Sequence, residues 1–214
     1  MKLIPFMTKE LEKIFSKSTV LMKLYSAYYK KIVKKEVELA GIDNNDSVLF
    51  IGGGSIPCTA LQMASMTGAR VMIIDVDPVA VEGANKIISK LNLSHRVKAR
   101  LISGQKINAG DFSVIHIARQ AMPHDEIMEN ITNKLSDDTR ILLRSNLFCF
   151  EKLRKIHVDN CKYIYIQQIK QGFLGLKSTF MFTIKKDRRS ESESKKVNSY
   201  TDSFNPDFAG TLVS

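Results

Sequence analysis

The chain has 214 residues, of which 44% are hydrophobic, and it carries a formal net charge of +10 at pH 7. This length supports one hydrophobic core with a small accessory segment, so we expect one domain. The positive charge favours anionic partners, but the basic residues are spread along the chain, which disfavours a dedicated nucleic-acid-binding arm. Nucleic acid therefore stays a possible partner that is not favoured over a small acidic metabolite.

Cysteine content and hydropathy indicate the compartment. Three cysteines without Cys-x-x-Cys spacing do not form a disulfide framework, and they predict a reducing environment with cysteines used for packing. The apolar run at the N-terminus is too short for a signal peptide, and no stretch approaches the length of a bilayer span. We therefore expect a soluble cytoplasmic protein.

Residues 1–47 predict an N-terminal helical segment, with helices over 8–17 and 19–40 and Gly41 closing the second. Two groups on the second helix have alternative roles. A basic strip is either a solvated face or an anion-binding surface, and it consists of Lys30, Lys31, Lys34 and Lys35. Three tyrosines either pack in the core or line a ligand site, where they are the first candidates for a general base: Tyr25, Tyr28 and Tyr29.

A short apolar strand, residues 48–51, runs directly into three consecutive glycines and then a helix over 59–66. Gly52, Gly53 and Gly54 permit positive φ and let a ligand approach the main chain closely. Pro57 suits the first turn of the following helix, whose free N–H groups face the same crevice. This geometry predicts a nucleotide site.

The next strand, residues 69–74, ends in Asp75, Val76 and Asp77. A carboxylate at this position, about 20 residues beyond a glycine turn, accepts hydrogen bonds from a ribose diol in βαβ nucleotide sites. Asp75 is the candidate for that role. A structural turn followed by a solvated acid is the alternative.

The remaining pattern predicts helices over 79–91 and 125–135 and strands over 97–103, 112–118 and 139–145. Residues 163–170 and 178–184 predict a late antiparallel pair. The fold class is therefore α/β, a doubly wound, mostly parallel Rossmann-like sheet of the class I S-adenosylmethionine (SAM) dependent methyltransferase type. The predicted SAM-binding domain covers 48–186, and the polar segment 187–214 predicts a disordered tail.

The glycine turn departs from the commoner nucleotide motifs. A dinucleotide fingerprint requires a small residue where Pro57 stands, and no Gly-Lys-Ser/Thr follows to make a phosphate loop. The commoner methyltransferase loop has an acidic residue at the place of Phe50 and a third glycine at the place of Ile56. The loop therefore differs from an ordinary methyltransferase loop while the predicted fold stays the same.

Three segments resemble the nicotianamine synthase family. They comprise Val48, Phe50, Gly52, Gly54, Ile56, Pro57 and Thr59; then Asp75, Asp77, Pro78, Ala80 and Ala84; and finally Leu142, Leu143, Arg144 and Ser145. The resemblance implies a SAM site on Gly52, Gly54, Asp75 and Asp77. It also implies transfer of the aminocarboxypropyl arm of SAM to an amino nitrogen, with release of methylthioadenosine.

The sequence thus predicts a SAM-dependent transferase acting on a small amino- or carboxylate-bearing metabolite. A small-molecule or RNA methyltransferase and a SAM-binding regulatory protein without catalysis are the alternatives. The predicted cofactor-binding residues are Gly52, Gly53, Gly54, Asp75, Val76, Asp77, Gln105 and Ala118. No catalytic residue and no oligomeric state are assigned.

Other polar residues have alternative roles. The four histidines lack metal-ligand spacing, so no metal site is expected. His116 is predicted as a hydrogen-bonded core residue or a group near the sulfonium. Arg119, His124 and Arg144 are expected mainly as solvated side chains, with binding of a substrate carboxylate as the alternative.

Overall fold

The computed structural model describes residues 19–132, 134–136, 138–145, 161–170 and 178–186. The predicted helix over 8–17 and the predicted tail over 187–214 lie outside these residues. The division into a helical segment, a SAM-binding domain and a tail therefore stays a prediction.

Helices and strands alternate through most of the described chain. The helices are α1 (Thr19–Ala40), α2 (Cys58–Thr67), α3 (Pro78–Lys90) and α4 (His124–Thr132). The strands are β1 (Ser47–Ile51), β2 (Arg70–Asp75), β3 (Val97–Leu101), β4 (Val114–Ile117), β5 (Arg140–Ser145), β6 (Cys161–Lys170) and β7 (Ser178–Lys186). The four helices predicted within the described residues are present, and so are the seven predicted strands.

The strands form one sheet of seven in the order β3-β2-β1-β4-β5-β7-β6. The first five pair in parallel, whereas β7 pairs antiparallel with both β5 and β6. Ile51 at the end of β1 pairs with Ile74 on one side and Ile117 on the other. The loops after β1, β2 and β4 therefore leave the sheet at the carboxyl ends of these parallel strands. They lie beside the point between β1 and β4 where the strand order reverses. Ligands of open α/β sheets bind at such a point.

Two apolar layers cover the sheet. On one face Phe50 packs in a cluster with Val33 of α1 and Ala60 of α2. On the other face Ile51 packs in a cluster with Ile127 of α4. These layers confirm the predicted fold class.

Several elements end earlier than the sequence pattern indicates. β3 stops at Leu101 instead of residue 103, and α4 ends at Thr132 instead of residue 135. The chain tightens into turns at both places, where the N–H of Lys106 bonds to Ser103 and the N–H of Lys134 bonds to Ile131. None of the helices in the described ranges is long and apolar enough to cross a membrane.

A buried ion pair fastens α1 to the sheet. Arg144 of β5 donates from Nε to Glu36 Oε1 at 2.8 Å and from Nη2 to Glu36 Oε2 at 2.7 Å. Thr179 of β7 donates to Glu36 Oε1 at 2.6 Å, and Nε2 of His116 lies 3.4 Å from Glu36 Oε2. The Glu36 side chain has no solvent exposure. We call Glu36, Arg144, His116 and Thr179 the buried cluster.

The neighbours of Glu36 keep its carboxylate ionised. Burial on its own would raise the pKa of Glu36, but the charge of Arg144, the neighbouring His116 and their hydrogen bonds together hold it well below the ordinary value. Burial lowers the pKa of His116, and the nearby Glu36 only partly opposes this, so the imidazole is neutral near pH 7. The buried cluster therefore contains one anion and one cation.

Removing the Glu36 charge should destabilise the fold in a pH-dependent way. We expect Glu36→Gln to lower the free energy of unfolding at pH 7 by about 3 kcal/mol, because Arg144 is left buried without its counter-charge. The folded-state pKa of Glu36 is depressed, so its contribution is full above the unfolded pKa of about 4.3 and declines as pH falls below it. Urea unfolding at pH 7 and pH 3 should show the difference from the unsubstituted chain shrinking at pH 3.

Glu38→Gln is the matched control on the same helix. Glu38 is exposed and faces Lys34 at 3.7 Å, a surface pair that contributes less than about 1 kcal/mol. Equal effects of the two substitutions, or a Glu36→Gln effect that does not change with pH, would contradict the role of the buried pair.

Candidate functional site

The glycine turn after β1 has the backbone that the sequence predicts. Gly52 has φ of +82° and Gly54 has φ of +65°. At Gly53, a Cβ would lie 2.2 Å from Cγ2 of Ile73, so the main chain passes directly over β2. Side chains are thereby excluded from the turn where a ligand would meet the backbone.

Asp75 is hydrogen-bonded to this turn. Its Oδ2 accepts from the N–H of Gly54 at 2.9 Å, and its Oδ1 accepts from the N–H of Asp77 at 3.1 Å. The N–H of Gly52 also donates to the carbonyl of Ile74 at 2.9 Å. The structure therefore brings the acidic tip of β2 and the glycine turn together at one point.

Three other predicted residues lie in the segments that follow β2 and β3. Asp77 caps α3 by accepting from the N–H of Val79 at 2.9 Å, while Val76 is 69% exposed. Gln105 is exposed in the loop after β3, where its Nε2 contacts Oε2 of Glu126. An exposed apolar side chain and an amide thus lie in the segments that follow β2 and β3.

A cavity of about 120 Å³ opens on the other side of the turn. Of the predicted cofactor-binding residues, Gly53 and Ala118 line it. The remaining described lining residues are Tyr29, Phe50, Ile56, Pro57, Cys58, Thr59, Arg119, Gln120 and Arg144. Gln120 is held in place because its Nε2 donates to the carbonyl oxygen of Gly52 at 2.9 Å.

The charged side chains in the described lining of the cavity are both arginines. Arg119 and Arg144 belong to the described lining, which contains no acidic side chain. Arg144 is buried and paired with Glu36, whereas Arg119 is exposed. The guanidinium carbon of Arg144 also lies 6.0 Å from the ring centroid of Tyr29 on α1. The described lining therefore offers guanidinium groups, and no carboxylate, to a ligand in the cavity.

Two expectations about solvated side chains are wrong. Arg144 is buried because Glu36 offers it a counter-charge under α1. His124, the first residue of α4, is also buried, and its Nε2 lies 3.4 Å from the carbonyl oxygen of Ala118. Burial lowers the pKa of His124, the effect of the Ala118 carbonyl being smaller.

His116 lies in the core and does not line the cavity. Its ring stacks on Phe50 with centroids 4.2 Å apart and planes 9° apart. Phe50 in turn lines the cavity, so the imidazole supports a wall of the site from behind. Nδ1 of His116 is buried without a hydrogen-bond partner in the part of the chain that the structure describes.

The N-terminal candidates fall into two groups. Tyr29 lines the cavity, while the side chains of Tyr25 and Tyr28 lie outside the described part of the structure. The four lysines of the basic strip are exposed, as expected of a solvated face. Cys58 is a free, half-buried thiol in the cavity wall, and burial raises its pKa.

The chain has relatives among curated proteins and among solved structures. No family model matches the chain. A curated relative, L-histidine 2-aminobutanoyltransferase of Yersinia pestis, is 32% identical over 74 residues, which are 35% of this chain and 28% of that protein. The protein of the same name from Pseudomonas aeruginosa (strain UCBPP-PA14) is 28% identical over 113 residues, 52% of this chain and 43% of that protein. The chain thus spans less than half the length of these relatives.

Solved structures agree with the sheet topology. A point mutant of MtNAS, a nicotianamine synthase, in complex with S-adenosylmethionine has a TM-score of 0.66 at 20% identity, covering 85% of this chain and 72% of that one. An RNA methyltransferase from Salinibacter ruber in complex with S-adenosyl-L-homocysteine has a TM-score of 0.56 at 18% identity, covering 72% of this chain and 90% of that one. The chain has a nicotianamine synthase-like fold of the class I SAM-dependent methyltransferase type.

Proposed function

We propose that the chain binds SAM and transfers its aminocarboxypropyl group to the amino nitrogen of a small, carboxylate-bearing metabolite. The observation that carries this proposal is the hydrogen bond between Gly54 and Asp75, at the strand-order switch point of a nicotianamine synthase-like fold. The names of the curated relatives support an amino acid as the acceptor.

The adenosyl half of SAM fits the β2 side of the turn. Each carboxylate oxygen of Asp75 accepts one backbone hydrogen bond, and each retains a lone pair for a ribose hydroxyl. The exposed Val76 offers an apolar surface to a base, with Gln105 as a further proposed contact. Ala118 lines the cavity on the other side of the turn, so its proposed contact with SAM lies there. This proposed role for Asp75 is the one that its position in the sequence predicts.

The methionine arm fits the cavity on the opposite side. Phe50 stands where an acidic residue would hold the arm's amino group in the commoner loop, so the wall near β1 offers no anion to that group. The guanidinium groups of Arg119 and Arg144 instead belong to the lining, and guanidinium groups bind carboxylates well. The arm is therefore placed differently from that in an ordinary methyltransferase.

Arm placement decides which carbon reacts. SAM supplies a sulfonium with three electrophilic carbons, and the carbon aligned with the nucleophile at near-attack distance is the one transferred. In aminocarboxypropyl transfer the acceptor nitrogen forms a bond to the carbon of the arm that is attached to sulfur. The electron pair of that carbon–sulfur bond passes to sulfur, and the nitrogen loses a proton. This chain's contribution is to hold the arm and exclude other alignments.

Methyl transfer is the second candidate, because the fold is shared with an RNA methyltransferase of Salinibacter ruber. The two reactions leave different by-products. Methylthioadenosine marks transfer of the arm, and adenosylhomocysteine marks transfer of the methyl group.

Incubation with SAM and L-histidine should therefore release methylthioadenosine, measured by liquid chromatography. Omission of L-histidine is the control for spontaneous breakdown of SAM. Adenosylhomocysteine as the product would replace the proposed reaction with methylation. If the chain binds SAM but releases neither by-product, the result would favour a binding protein without catalysis.

Ligand specificity is testable by thermal unfolding. SAM at a hundred times its dissociation constant should stabilise the chain by about 2.7 kcal/mol, which raises the melting temperature by about 5 to 10 °C for a chain of this size. Methylthioadenosine should also raise it, since it retains the adenosyl group. A rise with NAD but not with SAM would reject the assignment.

Asp75→Asn should weaken both SAM and methylthioadenosine by about tenfold, because a neutral amide replaces the charged acceptor of the ribose and of Gly54. Isothermal titration calorimetry measures both affinities. The control is Glu82→Gln on α3, which removes an exposed carboxylate that pairs with Lys86. Unchanged affinities in Asp75→Asn would exclude the ribose contact.

A further inference from the structure

Thr59 contacts the buried cluster through Arg144 and also lines the cavity. It is the second residue of α2, it is 5% exposed, and it lines the cavity. We propose that Thr59 is a ligand-binding residue whose hydroxyl donates a hydrogen bond to a carboxylate held in the cavity. This inference rests on the proposed function and adds to it the group that recognises a carboxylate.

The orientation of the hydroxyl follows from its neighbours. Nη1 of Arg144 donates to Thr59 Oγ1 at 2.9 Å, so the oxygen already serves as an acceptor. Arg144 itself is fixed by two hydrogen bonds to Glu36. An arginine cannot accept a hydrogen bond, so the hydroxyl proton of Thr59 has to point away from it. Within the described residues the hydroxyl of Thr59 donates to no protein acceptor.

The surroundings favour an anion as the acceptor. Arg119 and Arg144 belong to the described lining of the same cavity, and that lining contains no acidic side chain. Pro57 caps α2 without any side-chain hydrogen bond, so the positive end of this helix is not neutralised by a capping carboxylate. A ligand carboxylate satisfies the hydroxyl donor and the local charge at once.

Two carboxylates could occupy this place, and they are distinguishable. SAM carries one on its methionine arm, whereas methylthioadenosine lacks the arm. An amino acid acceptor carries the other. Substitutions at Thr59 therefore change either the affinity for SAM alone or the KM for the acceptor, and in both cases they leave methylthioadenosine binding unchanged.

The test compares Thr59→Val, which keeps the shape and removes the hydroxyl, with Thr59→Ser, which keeps the hydroxyl. Thr59→Ala accompanies them, because it removes the hydroxyl without placing a methyl group against Arg144. Calorimetry with SAM and with methylthioadenosine, and initial rates with SAM and L-histidine, are measured on each variant. Urea unfolding of each variant reports its stability separately.

Thr179→Val is the structural control. Thr179 belongs to the buried cluster through its bond to Glu36, but it does not line the cavity. We expect it to lower stability while leaving the SAM affinity and the KM for L-histidine within twofold. A structural role of the cluster alone would instead make Thr179→Val and Thr59→Val weaken ligands alike.

We expect Thr59→Val and Thr59→Ala to weaken SAM about tenfold, with methylthioadenosine within twofold and Thr59→Ser near the unsubstituted chain. If the carboxylate belongs to the acceptor, the SAM affinity stays constant and the KM for L-histidine rises by a similar factor. An unchanged SAM affinity without that rise overturns the proposal, as does equal weakening of methylthioadenosine or a Thr59→Ser variant as weak as Thr59→Val. If the unsubstituted chain binds neither SAM nor methylthioadenosine, the proposed function is rejected together with this inference. If it binds both and substitutions at Thr59 change neither the SAM affinity nor the KM for L-histidine, only this inference is rejected.

Discussion

A carboxylate without solvent exposure requires a fixed counter-charge, and this requirement sets the geometry on one face of the sheet. Glu36 of α1 finds that charge in Arg144 at the end of β5, through two hydrogen bonds. Desolvation makes an unpaired charge here very costly, so α1 cannot shift along the sheet without breaking the pair. Tyr29 lies two turns earlier on the same helix, and the pair thereby fixes where this side chain meets the cavity.

The same arginine links α1 to the start of α2. Its Nη1 reaches Thr59 just after the glycine turn, so one side chain touches the covering helix and the helix that follows the turn. The adenosyl side is organised differently, by the bond from Gly54 to Asp75 and by the close passage of Gly53 over Ile73. The two sides of the turn therefore depend on separate interactions, and a substitution on one side can leave the other intact.

Much of this fold could be predicted because its signals are local. Four apolar residues followed by three glycines specify a buried strand and a tight turn, and positive φ at Gly52 and Gly54 confirms that part. The position of Asp75 followed from the regular spacing of a βαβ unit. Strand ends were less predictable, since β3 stops at Leu101 where backbone turns take over from the apolar pattern.

The buried cluster was missed because its members lie far apart in the chain. Glu36 and Arg144 are separated by 108 residues, and each one alone has the usual character of a surface charge. One signal was available: Glu36 continues the apolar stripe of Ile32, Val33 and Ala40 at helical spacing, so its side chain had to face the core. A charge in that position predicts a buried partner of opposite sign, but it does not say which arginine or lysine supplies it.

The loss of an acidic residue at position 50 acquires a physical reason from this arrangement. Phe50 stacks on the neutral His116 and packs in the same apolar cluster as Val33, so a carboxylate there would lie within the desolvated layer beside Glu36. Two anions in that layer would compete for the charge of Arg144, and one of them would be protonated or expelled. Because Phe50 carries no charge, it does not compete with Glu36 for Arg144. Phe50 therefore contributes to both parts of the structure. It packs on the face of the sheet that α1 covers, and it lines the cavity that receives the methionine arm in the proposed function.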